Sequence, residues 1–154
     1  MSDTVTARTH EPGDAETIAA LRRLAIDEAR PERGGDLLFG FDRPDADGIV
    51  EPASNPGEFW FVGEIEGIVV GYARMTIADR GVARIAMVDE LFVHPDAREV
   101  GVAAGLLAAC IQAGSEAGAA HIESEVLPGN REAKNFFERM GMKTRKMRVS
   151  TPLD

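Results

Sequence analysis

The chain has 154 residues, 44% hydrophobic and 28% charged, which is enough for one domain with a core and too few for two ordinary ones. The formal net charge of −9 disfavours electrostatic binding to nucleic acid or to an anionic membrane. The single cysteine excludes an intramolecular disulfide and a thiolate-rich metal site. We therefore expect one domain over residues 1–154, in a reducing compartment.

The first residues, MSDTVTARTHEPGD, are polar and acidic, whereas a signal peptide needs a basic end followed by an apolar core. No run of the sequence approaches 18 apolar residues, the length that a membrane-spanning helix requires. These features predict a cytoplasmic protein without membrane or nucleic-acid partners.

The first half of the chain predicts a strand, a helix and a long connection. Residues 4–9 alternate as a short strand, and apolar residues at helical spacing predict an amphipathic helix over roughly 14–30. From 31 to 57, prolines, glycines and acids break every period, so we expect a connection with one short helix near 36–41. Long connections in small domains often carry function.

The second half predicts a sheet interleaved with helices. FWFVGEI (59–65) and IVVGYARMTI (68–77) are expected strands with a tight turn at Glu66-Gly67. Residues 82–93 are apolar on both faces, which is typical of a central strand. The remaining predicted elements are a helix over 100–117, a strand over 121–126, a helix over 130–140 and a last strand over 143–153. This order favours an α/β or α+β fold with a mixed sheet and helices on both faces.

The sequence REVGVAA (98–104) combines an arginine, a glycine and small residues where a strand gives way to a helix. The first N–H groups of a helix have no partner within it, and the positive end of its dipole lies there. Gly101 would let the backbone approach a ligand's oxygens, and Arg98 would add a charged contact. The pattern favours a phosphate-binding loop made of Arg98, Glu99, Val100, Gly101, Val102, Ala103 and Ala104. Such residues also occur at helix starts that bind no phosphate.

Two sequence blocks resemble the GNAT (GCN5-related N-acetyltransferase) superfamily in their order and separation. They are LFVHPDAREVGVAAGLL (91–107) and NREAKNFFERMGM (130–142). The hairpin FWFVGEIEGIVVGYARM and the segment EPGDAETIAALRRL also match the layout of the family. The resemblance implies a GNAT fold, a single mixed, mostly antiparallel, twisted sheet of about six to seven strands with helices on both faces.

The resemblance further implies acetyl-CoA as cosubstrate, with its pyrophosphate on the 98–104 loop and its pantetheine arm beside the central strand. The backbone of Leu91, Phe92 and Val93 would bind that arm, and one N–H there would polarise the thioester carbonyl. Asn130 would contact the pantetheine, although a role as helix N-cap explains it equally well. Phe137 would line the same site.

An alkyl amine has a pKa near 10.4, so at pH 7 only about one molecule in a few thousand is the neutral nucleophile. Asp89 and Glu90 occupy the strand segment where many members of the family keep a base. Adjacent strand residues point to opposite faces, so at most one of the two is expected to face a given cleft. The alternative is that one or both form ion pairs with Arg74 or Arg84.

Many family members protonate the departing thiolate with a tyrosine at the position that here is Phe137, which has no proton to give. A thiol pKa near 8.5 still makes the thiolate a fair leaving group. The resemblance therefore implies an N-acetyltransferase, in which a primary amine of a small molecule or peptide attacks acetyl-CoA directly in a ternary complex. The alternative is a catalytically weak or inactive acyl-CoA-binding sensor or interaction module of the same fold.

The acceptor is expected between the 31–57 connection, the hairpin and the last strand. Acids of that connection would suit a cationic acceptor or simply a solvated loop; they are Asp36, Asp42, Asp45, Asp47 and Glu51. Three scattered histidines suggest no metal site. The basic cluster over 143–148 is typical of a charged edge strand, and a homodimer is left open.

Overall fold

The computed structural model describes residues 4–35 and 56–153, which contain five strands and three α-helices. The strands are β1 (Val5–Thr9), β2 (Glu58–Ile65), β3 (Ile68–Asp79), β4 (Arg84–Val93) and β5 (His121–Ser124). The helices are α1 (Ala15–Ala29), α2 (Val102–Glu116) and α3 (Arg131–Arg139). The predicted short helix near 36–41 and the acids of the 36–51 region lie outside the described residues.

The described strands form one sheet in the order β1-β2-β3-β4-β5. All neighbours are antiparallel except β4 and β5, which are parallel. Glu66 and Gly67 join β2 to β3 with φ of 51° and 80°, the left-handed geometry that suits a two-residue hairpin turn. The predicted fold class, a mixed sheet with helices on both faces, is confirmed.

Helices cover both faces of the sheet. On one face, called here the α2 face, the sheet packs against buried α2 side chains: Val102, Leu106, Leu107 and Cys110. On the opposite α1 face, Ile18 and Leu21 of α1 pack against the aromatic side chains of Trp60, Tyr72 and Phe92. Each helix therefore buries its apolar stripe against one side of the sheet.

A glycine in β2 lets the start of α2 lie close to the sheet. A Cβ placed on Gly63 would lie 2.6 Å from Cγ1 of Val102, the first residue of α2. Real Cβ atoms do not approach carbon atoms that closely, so a side chain at this position would push the first turn of the helix outward. The position of the α2 N-terminus thus depends on the absence of a side chain in β2.

The structure differs from the sequence-based expectation at the end of the chain. The described residues contain five strands rather than six or seven, because residues 143–153 belong to no strand. Alternation alone predicted a strand there, yet a strand also requires a neighbouring strand to pair with. Among the described helices, none combines the length and apolar character needed to cross a membrane.

Candidate functional site

β4 and β5 run side by side for four residues and then separate. Their pairing extends from Ile85 opposite His121 to Val88 opposite Ser124, after which β4 continues to Val93. The Ser124 hydroxyl donates a hydrogen bond to the Val88 carbonyl at 2.9 Å, at the last paired position. Within the described part of the chain, the rest of β4 has a strand neighbour on one side only, so the sheet opens beyond Val88.

A β-bulge lies where the opening begins. Arg74 of β3 pairs with Glu90, but the next residue, Met75, pairs with Val88. Asp89 is therefore the extra residue that the register shift inserts into β4. A bulge of this kind bends the strand and redirects the side chains next to it.

The bulge places both acids on the α1 face. Asp89 Oδ2 accepts a hydrogen bond from Thr76 Oγ1 at 2.9 Å, and Glu90 Oε1 accepts one from the Tyr72 hydroxyl at 2.8 Å. Thr76 and Tyr72 are an even number of residues apart on β3, so their side chains share a face. The expectation that the adjacent acids face opposite sides is wrong, because the bulge interrupts the alternation.

Glu90 is held in a buried ion pair. Its Oε1 also accepts from Arg22 Nε of α1 at 2.8 Å, and the side chains of Arg22 and Glu90 are only 3% and 9% exposed. Arg74 Nη1 lies 3.7 Å from the other carboxylate oxygen, which confirms one of the alternative partners predicted for the acids. Arg84, the other, instead donates to the carbonyl of Ala117. Glu90 thus links α1 to β4.

The backbone of β4 presents alternate residues to the opening. The His94 N–H donates to the Val70 carbonyl of β3 at 2.8 Å, and the Phe92 carbonyl lies against Gly71 of β3. Since successive strand residues direct their N–H and C=O groups to opposite edges, those of Leu91 and Val93 point away from β3. The structure therefore brings the predicted Leu91–Val93 segment to the open edge.

The loop after β4 ends in an uncapped helix N-terminus. Glu99 and Gly101 have φ of 70° and 95°, and Gly101 is the N-cap of α2 without a capping side-chain hydrogen bond. A Cβ on Gly101 would meet nothing within 4 Å, so the left-handed backbone rather than crowding favours glycine here. Alternating backbone conformations before a helix form a concavity of N–H groups that suits an anion.

The Arg98 side chain connects this loop to three elements. Its Nε donates to the Val93 carbonyl at 3.0 Å, and its Nη2 lies 2.9 Å from both carboxylate oxygens of Glu28 in α1. Glu132 of α3 lies 3.6 Å from Nη1, and the guanidinium lies over the Phe92 ring. Arg98 therefore fixes the loop against β4, and its contact with a phosphate stays a prediction.

The second sequence block lies on and before α3. Asn130 Oδ1 accepts a hydrogen bond from the Ala133 N–H at 3.0 Å, so the alternative role as N-cap is confirmed. Phe137 packs edge-on against Phe136 with ring centroids 5.2 Å apart, beside the α2-face core. Tyr72 is fully buried on the α1 face with its hydroxyl on Glu90.

Three residues that the sequence did not single out support the site: Arg22, Thr76 and Ser124. Arg22 follows the buried Ile18 by four residues, which is the spacing of the inward face of α1; that spacing was the available signal. No such signal marked Thr76 and Ser124 in the sequence, because their partners depend on where β3, β4 and β5 pair.

Cys110 is fully buried in α2, and desolvation raises the pKa of its thiol to about 12. A thiol of that kind is not a nucleophile near neutral pH. Over residues 4–35 and 56–153, no three acidic, histidine or cysteine side chains come together as a candidate metal site.

An open strand edge beside an uncapped helix N-terminus suits an elongated ligand. The edge offers backbone hydrogen bonds to an amide-bearing arm, as in the addition of a peptide strand to a sheet. The N–H groups of the 98–104 loop suit an anionic group at the far end of such a ligand. Two carboxylates stand where the edge opens.

The family model described as acetyltransferase (GNAT) family matches residues 18–142 of the chain. No curated protein matches the sequence of this chain.

Solved structures with the same fold include several acetyltransferases. The aminoglycoside N-acetyltransferase AAC(6')-Iy in complex with CoA superposes with a TM-score of 0.74 at 19% identity, over 99% of this chain and 97% of that one. The same enzyme with the bisubstrate analogue CoA-S-monomethyl-acetylneamine gives a TM-score of 0.72 at 19% identity, over 98% and 99% of the two chains. A ribosomal-protein-alanine N-acetyltransferase from Brucella melitensis gives 0.69 at 17% identity, over 97% and 100%. At sequence identities this low, the structural similarity shows a common fold and no more.

Proposed function

Because the chain belongs to the GNAT acetyltransferase family, we propose that it transfers the acetyl group of acetyl-CoA to a primary amine of a small molecule or peptide. The observation that carries the proposal is the separation of β4 from β5 at the Asp89 bulge, next to the uncapped N-terminus of α2. Two structural neighbours are complexes with CoA or a CoA-containing analogue, which supports the choice of donor.

In this proposal acetyl-CoA lies along the open edge of β4. Backbone groups of Leu91 and Val93 bind the pantetheine amides, and an N–H of the 91–93 segment polarises the thioester carbonyl. The N–H groups of residues 99–104 bind the pyrophosphate, with Arg98 holding the loop in place. Asn130, the N-cap of α3, and Phe137 border the same channel.

The proposed reaction is a direct attack within a ternary complex. The neutral amine nitrogen forms a bond to the thioester carbon, the carbon–sulfur bond breaks, and CoA leaves as a thiolate. Asp89 takes the proton that the nitrogen loses, directly or through water. We assign this role to Asp89 rather than Glu90, because Glu90 Oε1 already accepts hydrogen bonds from Arg22 and Tyr72.

No aromatic acid is needed in this scheme. Phe137 cannot protonate the thiolate, and the hydroxyl of Tyr72 is engaged by Glu90. With a thiol pKa near 8.5, the thiolate leaves without full protonation and takes a proton from water afterwards. Asp89 is then the side chain that moves a proton in this scheme.

A sensor that binds acyl-CoA without transferring the acyl group is the second candidate, and phenylalanine at position 137 favours it. The two functions differ in one measurement. CoA affinity is determined by calorimetric titration, and thiol release from acetyl-CoA is followed with a panel of alkyl amines, aminoglycosides and peptide N-termini.

Release that depends on one of the amines supports the transferase. Micromolar CoA binding without acceptor-dependent release across the panel supports the sensor. Absence of saturable CoA binding contradicts both functions.

A further inference from the structure

The Arg98 side chain leaves the 98–104 loop toward the α1 face of the sheet. Its guanidinium carbon lies 5.4 Å from the centroid of the Phe92 ring, and Phe92 belongs to the same buried cluster as Ile18 and Leu21 of α1. The uncapped N-terminus belongs to α2, which packs on the opposite face. The guanidinium therefore extends away from the helix whose first N–H groups suit an anion.

Three contacts hold the Arg98 side chain in place. Its Nε donates a hydrogen bond to the Val93 carbonyl at 3.0 Å, which closes the turn between β4 and the loop. Its Nη2 lies 2.9 Å from each carboxylate oxygen of Glu28, and the Phe92 ring supports one face of the guanidinium. Hydrogen bonds between charged groups are the stronger kind, and a planar guanidinium held at two nitrogens and one face has a defined orientation. Because Arg98 is the first residue of the loop, its position determines where the loop begins.

The end of α1 that carries Glu28 is itself fixed to the rest of the fold. Beyond α1, Arg33 and Gly34 lie against the segment that leads from β5 to α3. A Cβ on Gly129 would lie 3.3 Å from the backbone nitrogen of Arg33, and a Cβ on Gly34 would lie 3.3 Å from Cδ2 of Leu127. The chain after α1 therefore packs closely on this segment. Glu28, in the last turn of α1, is held at a supported end of the helix.

Glu28 also compensates the charge of Arg98. A second carboxylate, that of Glu132, lies 3.6 Å from Nη1, so two acids surround one guanidinium. Removing Glu28 would leave a less compensated cation beside the loop, and by charge alone this would strengthen the binding of a phosphate. If Glu28 instead serves to fix the loop, its removal weakens that binding. A charge-supplying and a loop-fixing Arg98 thus predict effects of opposite sign.

We infer that Glu28 is a positioning residue for CoA, acting through Arg98 on the loop that receives the pyrophosphate. The inference rests on the proposed function, since it takes CoA as the ligand of this loop. Glu28 holds Arg98, Arg98 holds the start of the loop, and the N–H groups of residues 99–104 are then preorganised for an anion. A preorganised site loses less binding free energy to the ordering of its loop.

Calorimetric titration with CoA tests the inference. Glu28→Ala removes both oxygens that hold Arg98. The matched control is Asp27→Ala, at the preceding exposed residue of α1, which removes the same charge from the same helix. Arg98→Met, alone and combined with Glu28→Ala, completes a double-mutant cycle. Thermal melts establish that each variant is folded, and phosphorus NMR of bound CoA reports on the surroundings of the pyrophosphate, which a change in stability alone would not alter.

Glu28→Ala is expected to weaken CoA binding about three- to tenfold relative to Asp27→Ala, as for a hydrogen-bonded ion pair near the surface. It should also shift the pyrophosphate resonances of bound CoA. In the Arg98→Met background it should have no further effect, because the effects of residues that act through one another do not add.

CoA binding by Glu28→Ala that equals or exceeds that of Asp27→Ala overturns the inference and leaves the proposed function standing. A full, additive loss in the double variant does the same, because Glu28 would then act independently of Arg98. Absence of saturable CoA binding in the unaltered protein contradicts both the inference and the proposed function.

Discussion

Asp89 and Glu90 are neighbours in sequence on the same face of the sheet, but their surroundings differ. Glu90 joins α1 to β4 through Arg22, in a pair that is almost fully buried. Asp89 lies on the bulge, held by Thr76 where the sheet opens. Removing one member of a buried pair leaves an uncompensated charge, whereas a bulge redirects a side chain and is frequent next to active sites.

Replacing each acid by its amide separates the two roles. Asp89→Asn is expected to lower the rate of acetyl transfer about 10²- to 10⁴-fold, the usual contribution of a general base, with the melting temperature nearly unchanged. Glu90→Gln is expected to lower the free energy of unfolding by about 1–3 kcal/mol, because it removes the negative charge that faces the buried Arg22 guanidinium. Initial rates and thermal melts measure both effects. Equal rate losses in the two variants, or none in Asp89→Asn, would remove Asp89 from the mechanism.

At Gly101 a matched pair of variants isolates the charge of the ligand. Asn and Asp tolerate a left-handed backbone better than other side chains, and a side chain at this position meets nothing nearby. Both variants therefore carry similar strain. If a pyrophosphate lies on this loop, Gly101→Asp should weaken CoA binding at least tenfold more than Gly101→Asn in calorimetric titration. Equal affinities of the two variants would argue against a phosphate at the loop.

At this scale the sequence predicted the backbone elements around the proposed site better than the directions of their side chains. The start of α2 soon after β4 was predictable because an apolar strand, a glycine and small residues follow one another along the chain. It was not predictable that Asp89 and Glu90 share a face, because this depends on how β4 pairs with β3. The partners of Arg98 were not predictable either, since Glu28 and Glu132 are distant in sequence.

Among the helices and strands, α2 determines the shape of the 98–104 loop. The close approach of α2 to the sheet depends on Gly63. A Cβ there would meet the first residue of the helix at 2.6 Å. Shifting that turn outward would move the N–H groups at the start of α2 away from the open edge of β4.

Gly63→Ala is therefore expected to destabilise the fold by about 1–3 kcal/mol and to weaken CoA binding. The matched control is Gly105→Ala within α2, where the nearest atom to a new Cβ is 3.8 Å away. That change should be neutral or stabilise the helix by up to about 1 kcal/mol, with CoA affinity unchanged. Urea unfolding and calorimetric titration check both variants. Equal stability losses would show that crowding under Val102 is not what Gly63 avoids.

Helices and the hairpin were predictable because their signals are local. The predicted ranges 14–30, 100–117 and 130–140 became Ala15–Ala29, Val102–Glu116 and Arg131–Arg139, and Glu66-Gly67 forms the turn. The prediction of a strand over 143–153 was wrong for this chain, because strand pairing is not local. Alternation describes which faces a strand would have, and it does not show where a partner strand lies.

For the whole molecule, the central feature is the opening between two parallel strands, which no single segment specifies. β5 pairs with β4 over four positions, and the chain then turns toward α3, so the length of β5 limits how far the sheet stays closed. The resemblance of two sequence blocks to a family predicted a cosubstrate channel there. Composition and charge alone disfavoured nucleic-acid and membrane partners but did not indicate an opening.

The central claim is that CoA lies along the open edge of β4 with its pyrophosphate at the start of α2. Residue-resolved amide hydrogen exchange, with and without saturating CoA, tests it most directly. We predict that exchange slows at Leu91 and Val93 and across residues 99–104, while β1 and β2 are unchanged. Saturable CoA binding with protection confined to other parts of the chain, or no binding, would contradict the account.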